Sequence, residues 1–343
     1  MTPRLSDVAR HAGVSTATAS RVLNAKRGVS NEARSAVYTA ADALGYARAT
    51  RRTQSLTLGV IVPELENPVF AQFAQCLSTL LRQSGHSPIL GTATAAGISE
   101  DEWIETQLDL GVGGIIIVSG MHADTRASTE RYVRLRGLGI PLVFVNGFVE
   151  NIDAVFLSTD DVAAAALAVD HLAALGHRTI GLAVGPERYV PVIRKTKGFL
   201  RAAEKANVEP LLESTLFTME GGAAAALRLV ERGATAVVCA SDVMALGAVR
   251  ACRAGGFEIP TDLSVVGFDD SAVAACAGPP LTSLRQPVPA ISAAAVRLLL
   301  EELAGAGAPR QEFLFQPELI VRSSTGPARG RPTSPAAART ALP

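Results

Sequence analysis

The sequence predicts an all-α module at the N-terminus and an α/β body of two doubly wound lobes. Three observations predict this. The first 46 residues carry short amphipathic helical patterns separated by turn residues. From residue 56 onward, apolar runs of strand length alternate with helical stretches, a pattern typical of parallel sheets covered on both faces. The chain has 343 residues, which is enough for one small module and two lobes.

The N-terminal module has the pattern of a helix-turn-helix. Ser6 is expected to cap a first helix, which Gly13 ends with a left-handed turn. Ser15 is expected to cap a second helix, whose small opening residues allow close approach to base edges. A third helix begins after Ser30 as its cap and ends near Leu44. The periodicity alone also fits a plain helical bundle with a polar surface.

Basic charge is concentrated in the same region. Residues 1–54 contain nine Lys or Arg and three Asp or Glu, although the whole chain has a net charge of zero. A local excess of this kind is what binding to a polyanion requires. The charge therefore favours nucleic-acid binding over the plain bundle.

The body contains eight apolar runs that are predicted to be strands. They are residues 56–63, 87–93, 114–120, 141–147, 154–160, 179–185, 236–242 and 263–270. Polar residues follow most of them, and ligands of doubly wound sheets bind outside the carboxyl ends of the strands. Converging carboxylates and amides without metal-ligand spacing suit a polyhydroxylated ligand, and Phe70 and Tyr189 can cover the apolar face of a sugar ring. Taken singly, Asp161 and Asp242 can equally be helix caps, since both precede helical stretches.

Other function classes find no support in the sequence. Cys76, Cys239, Cys252 and Cys276 form no CxxC pair, and the five histidines form no HxxxH or HExxH motif. No GxSxG, Walker or GxGxxG motif is present. The N-terminus lacks an apolar signal region, and no run approaches the length of a membrane span. We expect a cytoplasmic protein that is not an enzyme, uses no cofactor or metal and does not bind a membrane.

A family resemblance extends these expectations. DVARHAGVSTATASRVLN at residues 7–24, followed by VS and a helix ending LGY, resembles the DNA-binding headpiece of the lactose-repressor/galactose-repressor (LacI/GalR) family of bacterial transcription regulators. LTLGVIVPELENPVF, LVFVNG, SDVMALGAVRA, DLSVVGFDDS and PLTSLRQP resemble the effector domain of that family, which is similar to periplasmic sugar-binding proteins. The resemblance spans residues 4–325. It implies a homodimeric repressor that binds a palindromic operator in double-stranded DNA, under control of a sugar-like effector held between the lobes. The alternative is a sugar-binding module whose basic region contacts a protein instead.

The resemblance implies the domain boundaries and the residues that bind DNA. We expect a headpiece at 1–46, a basic linker at 47–55, an effector and dimerisation domain at 56–325 and a disordered tail at 326–343, which is rich in Pro, Ala, Arg and Gly. Positions matching Thr16, Ala17 and Arg21 read bases in the major groove. The positions that mostly hold phosphates match Ser15, Ser20, Asn24, Ser30 and Arg34. The linker lacks the Pro-Asn and the leucine of a hinge helix, so we expect a tether whose Arg48, Arg51 and Arg52 attract phosphates or a narrow minor groove.

The effector site is expected between the lobes. The resemblance implies contacts from Asn67, Phe70, Asn146, Lys195, Asp242 and Gln286, and the residues themselves add Arg188, Tyr189, Arg194 and Asp269. Lys195 stands where many family members have arginine, and a lysine offers a point charge in place of a planar fork. The lone Trp103 is expected on a helix surface rather than at the ligand.

Overall fold

The computed structural model describes residues 5–23, 29–44, 55–94, 97–306 and 310–329. These residues belong to two compact units, Met1–Leu56 and Thr57–Pro343. Asn24, Arg48, Arg51 and Arg52 lie outside the described residues, as does most of the predicted linker.

The first unit has three helices around a small apolar core. They are α1 (Leu5–His11), α2 (Thr16–Leu23) and α3 (Asn31–Ala43). Val8, Ala19 and Val37, one from each helix, are buried together. Gly13 has φ of +65° and turns the chain between the first two helices, as the sequence predicts. The expectation for Ser6 is wrong, because α1 already begins at Leu5.

The second unit alternates strands and helices. The strands are β1 (Thr57–Val62), β2 (Ser87–Thr92), β3 (Ile115–Val118), β4 (Leu142–Val145), β5 (Val155–Thr159), β6 (Thr179–Val184), β7 (Glu209–Ser214), β8 (Ala236–Cys239), β9 (Ser264–Asp269), β10 (Thr282–Arg285), β11 (Glu312–Phe315) and β12 (Glu318–Ile320). The helices are α4 (Pro68–Gln83), α5 (Glu100–Asp109), α6 (Glu130–Gly137), α7 (Asp161–Ala174), α8 (Val190–Ala206), α9 (Met219–Glu231), α10 (Asp242–Ala254), α11 (Ala272–Cys276) and α12 (Val288–Leu303).

The strands form two six-stranded sheets, one in each lobe. The first lobe has the order β11-β5-β4-β3-β1-β2, and the second has β12-β10-β9-β8-β6-β7. All neighbouring strands are parallel except β10 and β12. Helices α4, α5, α6 and α12 pack on the first sheet, and α7 to α10 pack on the second. The predicted pair of doubly wound lobes is confirmed.

The chain passes between the lobes three times: from β5 to α7, from β10 to α12, and from β11 to β12. At each crossing, the chain leaves the carboxyl end of a strand. The residues that follow these ends therefore face the space between the lobes, where doubly wound sheets bind ligands.

Four strands escaped the sequence prediction, and each has a physical reason. β7 is mostly exposed at one edge of its sheet and reads EPLLES, so it lacks a continuous apolar run. β11 and β12 are short edge strands of four and three residues, and β10 reads TSLR, in which only Leu284 is apolar. A half-exposed edge strand needs no continuous apolar run, unlike the buried strands of a parallel sheet.

Two further expectations are wrong in part. The indole Nε1 of Trp103 donates to the carbonyl of Thr92 at 2.8 Å, and the ring packs against the apolar core of the first lobe. Residues 326–329, predicted to begin the disordered tail, are tied to the second lobe: the amide of Gly326 donates to Ser264 Oγ at 3.1 Å, and that of Ala328 donates to the carbonyl of Leu175 at 2.9 Å. Residues 330–343 of the predicted tail lie outside the described residues. In the described ranges, no helix is long and apolar enough to cross a membrane.

Candidate functional site

The second helix of the headpiece presents one face to solvent. Ser15 caps α2 through a bond from the amide of Thr18 to its Oγ, at 3.0 Å. Thr16, Ala17 and Arg21 are exposed, whereas Ala19 on the opposite face is fully buried. The three residues expected to read bases therefore share the open face of one short helix.

The described residues that are expected to hold phosphates belong to α2 and α3 or cap these helices. Ser30 caps α3 by accepting from the amide of Ala33 at 3.2 Å, and its side chain is exposed. Ser20 and Arg34 are half-buried, and the guanidinium Nε of Arg34 is buried with no hydrogen-bond partner among the described residues. The Ser30 cap leaves a hydroxyl proton that can donate to an acceptor such as a phosphate oxygen, whereas Ser15 Oγ also shares a hydrogen bond with Thr18 Oγ1 at 2.8 Å.

A cavity of about 220 Å³ lies between the two lobes. We call it the inner cavity. Seven of the ten predicted effector residues line it: Asn67, Phe70, Asn146, Tyr189, Lys195, Asp269 and Gln286. They come from both lobes, so the cavity exists only because the lobes face each other.

Backbone geometry at the cavity is unusual. Ser119, Asn146 and Asp269 follow or end strands β3, β4 and β9, and their φ angles are 46°, 60° and 109°. Non-glycine residues adopt such angles at a cost, and they are concentrated at functional sites. Each side chain is thereby turned toward the carboxyl ends of the strands, where all three line the cavity.

A chain of amide and carboxyl groups links the lobes beneath the cavity. Gln286 Oε1 accepts from Asn146 Nδ2 at 3.3 Å and from Thr159 Oγ1 at 3.1 Å. Gln286 Nε2 donates to Asp269 Oδ1 at 2.7 Å. Because Asn146 and Thr159 end first-lobe strands and Asp269 ends a second-lobe strand, Gln286 joins the two lobes.

Asp269 keeps one oxygen available. It is buried, and its Oδ2 has no hydrogen-bond partner among the described residues. Burial raises the pKa of Asp269 well above its ordinary value and the nearby charge of Asp242 adds to this, while the side-chain amides of Gln286 and Asn67 and the charge of Lys195 oppose the rise. An orphaned buried oxygen carries a cost that a ligand hydroxyl can remove.

Among the described residues, Lys195 is the only cationic side chain that lines the inner cavity, and it already forms an ion pair. Its Nζ donates to Asp161 Oδ1 at 2.5 Å and lies 3.8 Å from the centroid of the Phe268 ring. Burial raises the pKa of Asp161, while the charge and hydrogen bond of Lys195 lower it. The lining also includes the carboxyls of Glu64 and Asp269, so the cavity offers no net positive charge to an anionic ligand.

Three predicted effector residues do not line the inner cavity. Both carboxyl oxygens of Asp242 accept hydrogen bonds within the second lobe. Oδ2 accepts from the amide and the hydroxyl of Ser271 at 2.7 and 2.8 Å, and Oδ1 accepts from the hydroxyl of Ser283 at 2.6 Å. Its neighbour Ser241 lines the cavity instead. Arg194 does not line the cavity; its Nη1 and Nη2 donate to Oε1 and Oε2 of Glu312 in the first lobe, at 2.7 and 2.8 Å.

Arg188 lies at a second, adjoining cavity of about 590 Å³, which we call the outer cavity. The guanidinium pairs with Asp124 at 2.8 Å and lies 5.0 Å from the Tyr189 ring centroid. Arg188 therefore does not bring a guanidinium to the inner cavity in place of the arginine that many family members have at the position of Lys195.

The sequence prediction missed Phe217. Its ring lines the inner cavity and lies 6.1 Å from that of Tyr189, with the two planes tilted by 58°. Gly185 makes room for it, because a Cβ there would lie 2.2 Å from the Phe217 ring. Phe217 follows β7, a strand without a clear apolar pattern, so no sequence signal placed it at the cleft.

The residues in the ranges given above bring no three His, Cys, Asp or Glu side chains together in a way that could hold an ion.

Comparison with known proteins fits this arrangement. Residues 4–49 match the bacterial regulatory proteins of the lacI family, and residues 169–325 match the periplasmic binding protein-like domain. The HTH-type transcriptional regulator reg1 of Streptomyces lividans is 53% identical over 97% of this chain and 100% of its own length. The chain belongs to the lacI family. It is a helix-turn-helix transcriptional regulator with a periplasmic-binding-like domain.

Solved structures of transcriptional regulators have a similar fold. The transcriptional regulator CelR in complex with cellobiose is 29% identical, with a TM-score of 0.70 over 94% of this chain and 99% of its own. A lac repressor dimer bound to operator and an anti-inducer is 26% identical, with a TM-score of 0.68 over 95% of this chain and 100% of its own. The fold therefore resembles that of regulators in both sugar-bound and operator-bound forms.

Proposed function

We propose that this regulator is a homodimeric repressor of carbohydrate-utilisation genes that binds a palindromic operator and responds to a neutral sugar. The observation that supports it most is the inner cavity, where hydrogen-bonding groups and aromatic rings from both lobes meet without a net positive charge. Sugar hydroxyls both donate and accept, which suits the amides of Asn146 and Gln286 and the open oxygen of Asp269. CelR with cellobiose and the operator-bound lac repressor dimer have the same fold.

A dimer is part of the proposal because one headpiece covers only half of an operator. Two copies related by a two-fold axis match a palindrome whose half-sites lie about one helical turn apart. The sugar changes operator affinity by altering the relation of the lobes, with a coupling of about 1 to 3 kcal/mol, and the operator must change sugar affinity by the same factor. The protein acts by binding, without catalysis, in the bacterial cytoplasm.

The test of DNA binding uses the exposed face of α2. An operator is first selected from random DNA with the full-length protein. Arg21→Ala is then compared with Arg10→Ala, which removes the same charge from α1, where Arg10 is exposed and pairs with Asp7 at 3.4 Å.

We expect Arg21→Ala to weaken operator binding by about 1 to 3 kcal/mol in fluorescence anisotropy, because a bidentate base contact is lost. Arg10→Ala should stay close to wild type. Affinity should also fall steeply with salt, since several phosphates are neutralised. Equal binding by both variants together with a flat salt profile would instead favour a basic region that contacts protein.

A further inference from the structure

The inner and outer cavities adjoin each other. Pro63, Glu64, Ser119 and Tyr189 line both of them. The inner cavity, at about 220 Å³, is smaller than the roughly 300 to 1,000 Å³ of typical small-molecule sites. With the outer cavity of about 590 Å³ it comes within that range.

Contacts across the cleft hold one wall of the outer cavity in place. The carbonyl of Arg188 accepts from the amide and the hydroxyl of Thr125, at 2.9 and 2.8 Å. Asp124 forms an antiparallel bridge with Tyr189 and an ion pair with Arg188. These contacts join a second-lobe loop to the first lobe beside the outer cavity.

Both donors and acceptors line the outer cavity. Arg131 Nη1 pairs with Asp101 at 2.9 Å, and its buried Nε has no hydrogen-bond partner among the described residues. Glu100 also lines the cavity, but its two carboxyl oxygens already accept from the hydroxyl of Tyr132 and from the amide of Met121. The other polar residues of the lining are Glu64, Thr94, Ser99, Ser119, Tyr189 and the Arg188–Asp124 pair. Carboxyl groups outnumber guanidiniums there, which disfavours a phosphate or carboxylate ligand, while vicinal hydroxyls can bond to both kinds of group.

We propose that the two cavities are successive subsites for a neutral oligosaccharide of at least two rings. One ring occupies the inner cavity among Phe70, Asn146 and Asp269, and the next occupies the outer cavity beside Arg131 and Arg188. Tyr189, which lines both cavities, contacts the junction between the rings. This assignment rests on the proposed function, since it specifies which sugars the same site takes.

The experiment measures binding of defined sugars to the full-length protein by isothermal titration calorimetry. The probes are glucose, galactose, mannose, xylose and ribose, the disaccharides and trisaccharides built from them in α and β linkage, and glucose 6-phosphate. Met121→Trp is chosen to fill the outer cavity, because Met121 is 37% exposed and lines the outer cavity but not the inner one. Val133→Trp is the control, since Val133 is 54% exposed on α6 and lines neither cavity.

We expect a disaccharide or trisaccharide to bind about tenfold or more tightly than its own monosaccharide and than glucose 6-phosphate. Met121→Trp should weaken that oligosaccharide about tenfold and leave the monosaccharide within about twofold, and Val133→Trp should change neither. Thr94→Trp, at another exposed position of the outer cavity, should repeat the selective loss if Met121→Trp folds poorly.

Three results would overturn the proposal in distinguishable ways. If a monosaccharide binds as tightly as its oligosaccharides and neither outer-cavity variant discriminates between them, the outer subsite is wrong and the sugar-responsive function stands. If glucose 6-phosphate binds best, the requirement for a neutral ligand is wrong. If no carbohydrate of any length binds, the proposed function fails together with the subsites.

Discussion

Replacing Lys195 with methionine removes the cation that neutralises Asp161 inside the second lobe. The two side chains are only 9% and 7% exposed, and the Nζ to Oδ1 distance is 2.5 Å. At that distance and an effective dielectric constant of about 20, their attraction is about 7 kcal/mol. Much of it offsets the desolvation of both ions, so the pair adds little net stability, but removing one partner leaves a buried charge unpaired. We expect Lys195→Met to lower the free energy of unfolding by about 3 to 5 kcal/mol.

The loss should depend on pH in a defined direction. Burial is the largest influence on Asp161 and raises its folded pKa above the ordinary value of 3.8, and without Lys195 only the charge of Arg194 opposes that rise while the charge of Asp160 adds to it. A carboxyl whose folded pKa is raised destabilises the fold as pH rises past the unfolded pKa and toward the folded one. The defect in Lys195→Met should therefore be largest at neutral pH and should shrink as the pH is lowered toward 4.

Urea denaturation followed by circular dichroism measures both effects. Lys197→Met is the matched control, because Lys197 lies on the same helix and is exposed. The double variant Asp161→Asn with Lys195→Met should recover most of the loss, since neither charge remains. If Lys195→Met costs no more than Lys197→Met, or if the double variant is as unstable as the single one, the buried ion pair does not have the role assigned to it.

Two further outcomes follow from the structure. Gly13→Ala should destabilise the headpiece by about 1 to 2 kcal/mol in thermal unfolding, although a Cβ there meets nothing within 4 Å, because φ of +65° is unfavourable for alanine; an unchanged melting temperature would contradict this. Burial raises the pKa of Asp242 to about 6, so wild-type stability should fall as pH rises from about 4 to about 6, by up to about 3 kcal/mol from this group; Asp242→Asn should flatten that profile in urea denaturation, and an unaltered slope would rule out Asp242 as its source.

The sequence predicted what depends on local patterns. Buried parallel strands have continuous apolar runs, and the turn at Gly13 and the caps at Ser15 and Ser30 have local signatures, so these were found. The exposed edge strands have no such run. Phe217 was not predicted because the strand before it, β7, was not predicted. Gly185, which follows β6, leaves the space that the Phe217 ring occupies.

The structure places two predicted effector residues away from the inner cavity, because each of them has partners elsewhere. Asp242 follows a strand end, as a ligand-binding residue would, but three donors from Ser271 and Ser283 already occupy it. Arg194 and Lys195 are adjacent in sequence, yet helical geometry turns one toward Glu312 and the other toward the cavity. Sequence spacing indicates which residues approach the cleft, and the hydrogen-bond partners decide which of them remain available to a ligand.

Gln286 shows how occupancy of the cavity is connected to the relation between the lobes. It follows β10, where the chain passes from the second lobe to the first, and its partner Thr159 ends β5, where the chain passes back. Its other partners, Asn146 and Asp269, line the cavity from opposite lobes. A ligand shifts a conformational equilibrium only by as much as it binds the two states differently. A sugar that contacts both Asn146 and Asp269 meets that condition, because a change in the angle between the lobes changes the distance between these two side chains. A ligand that binds equally well at either angle, held by one lobe alone, would leave the equilibrium unchanged.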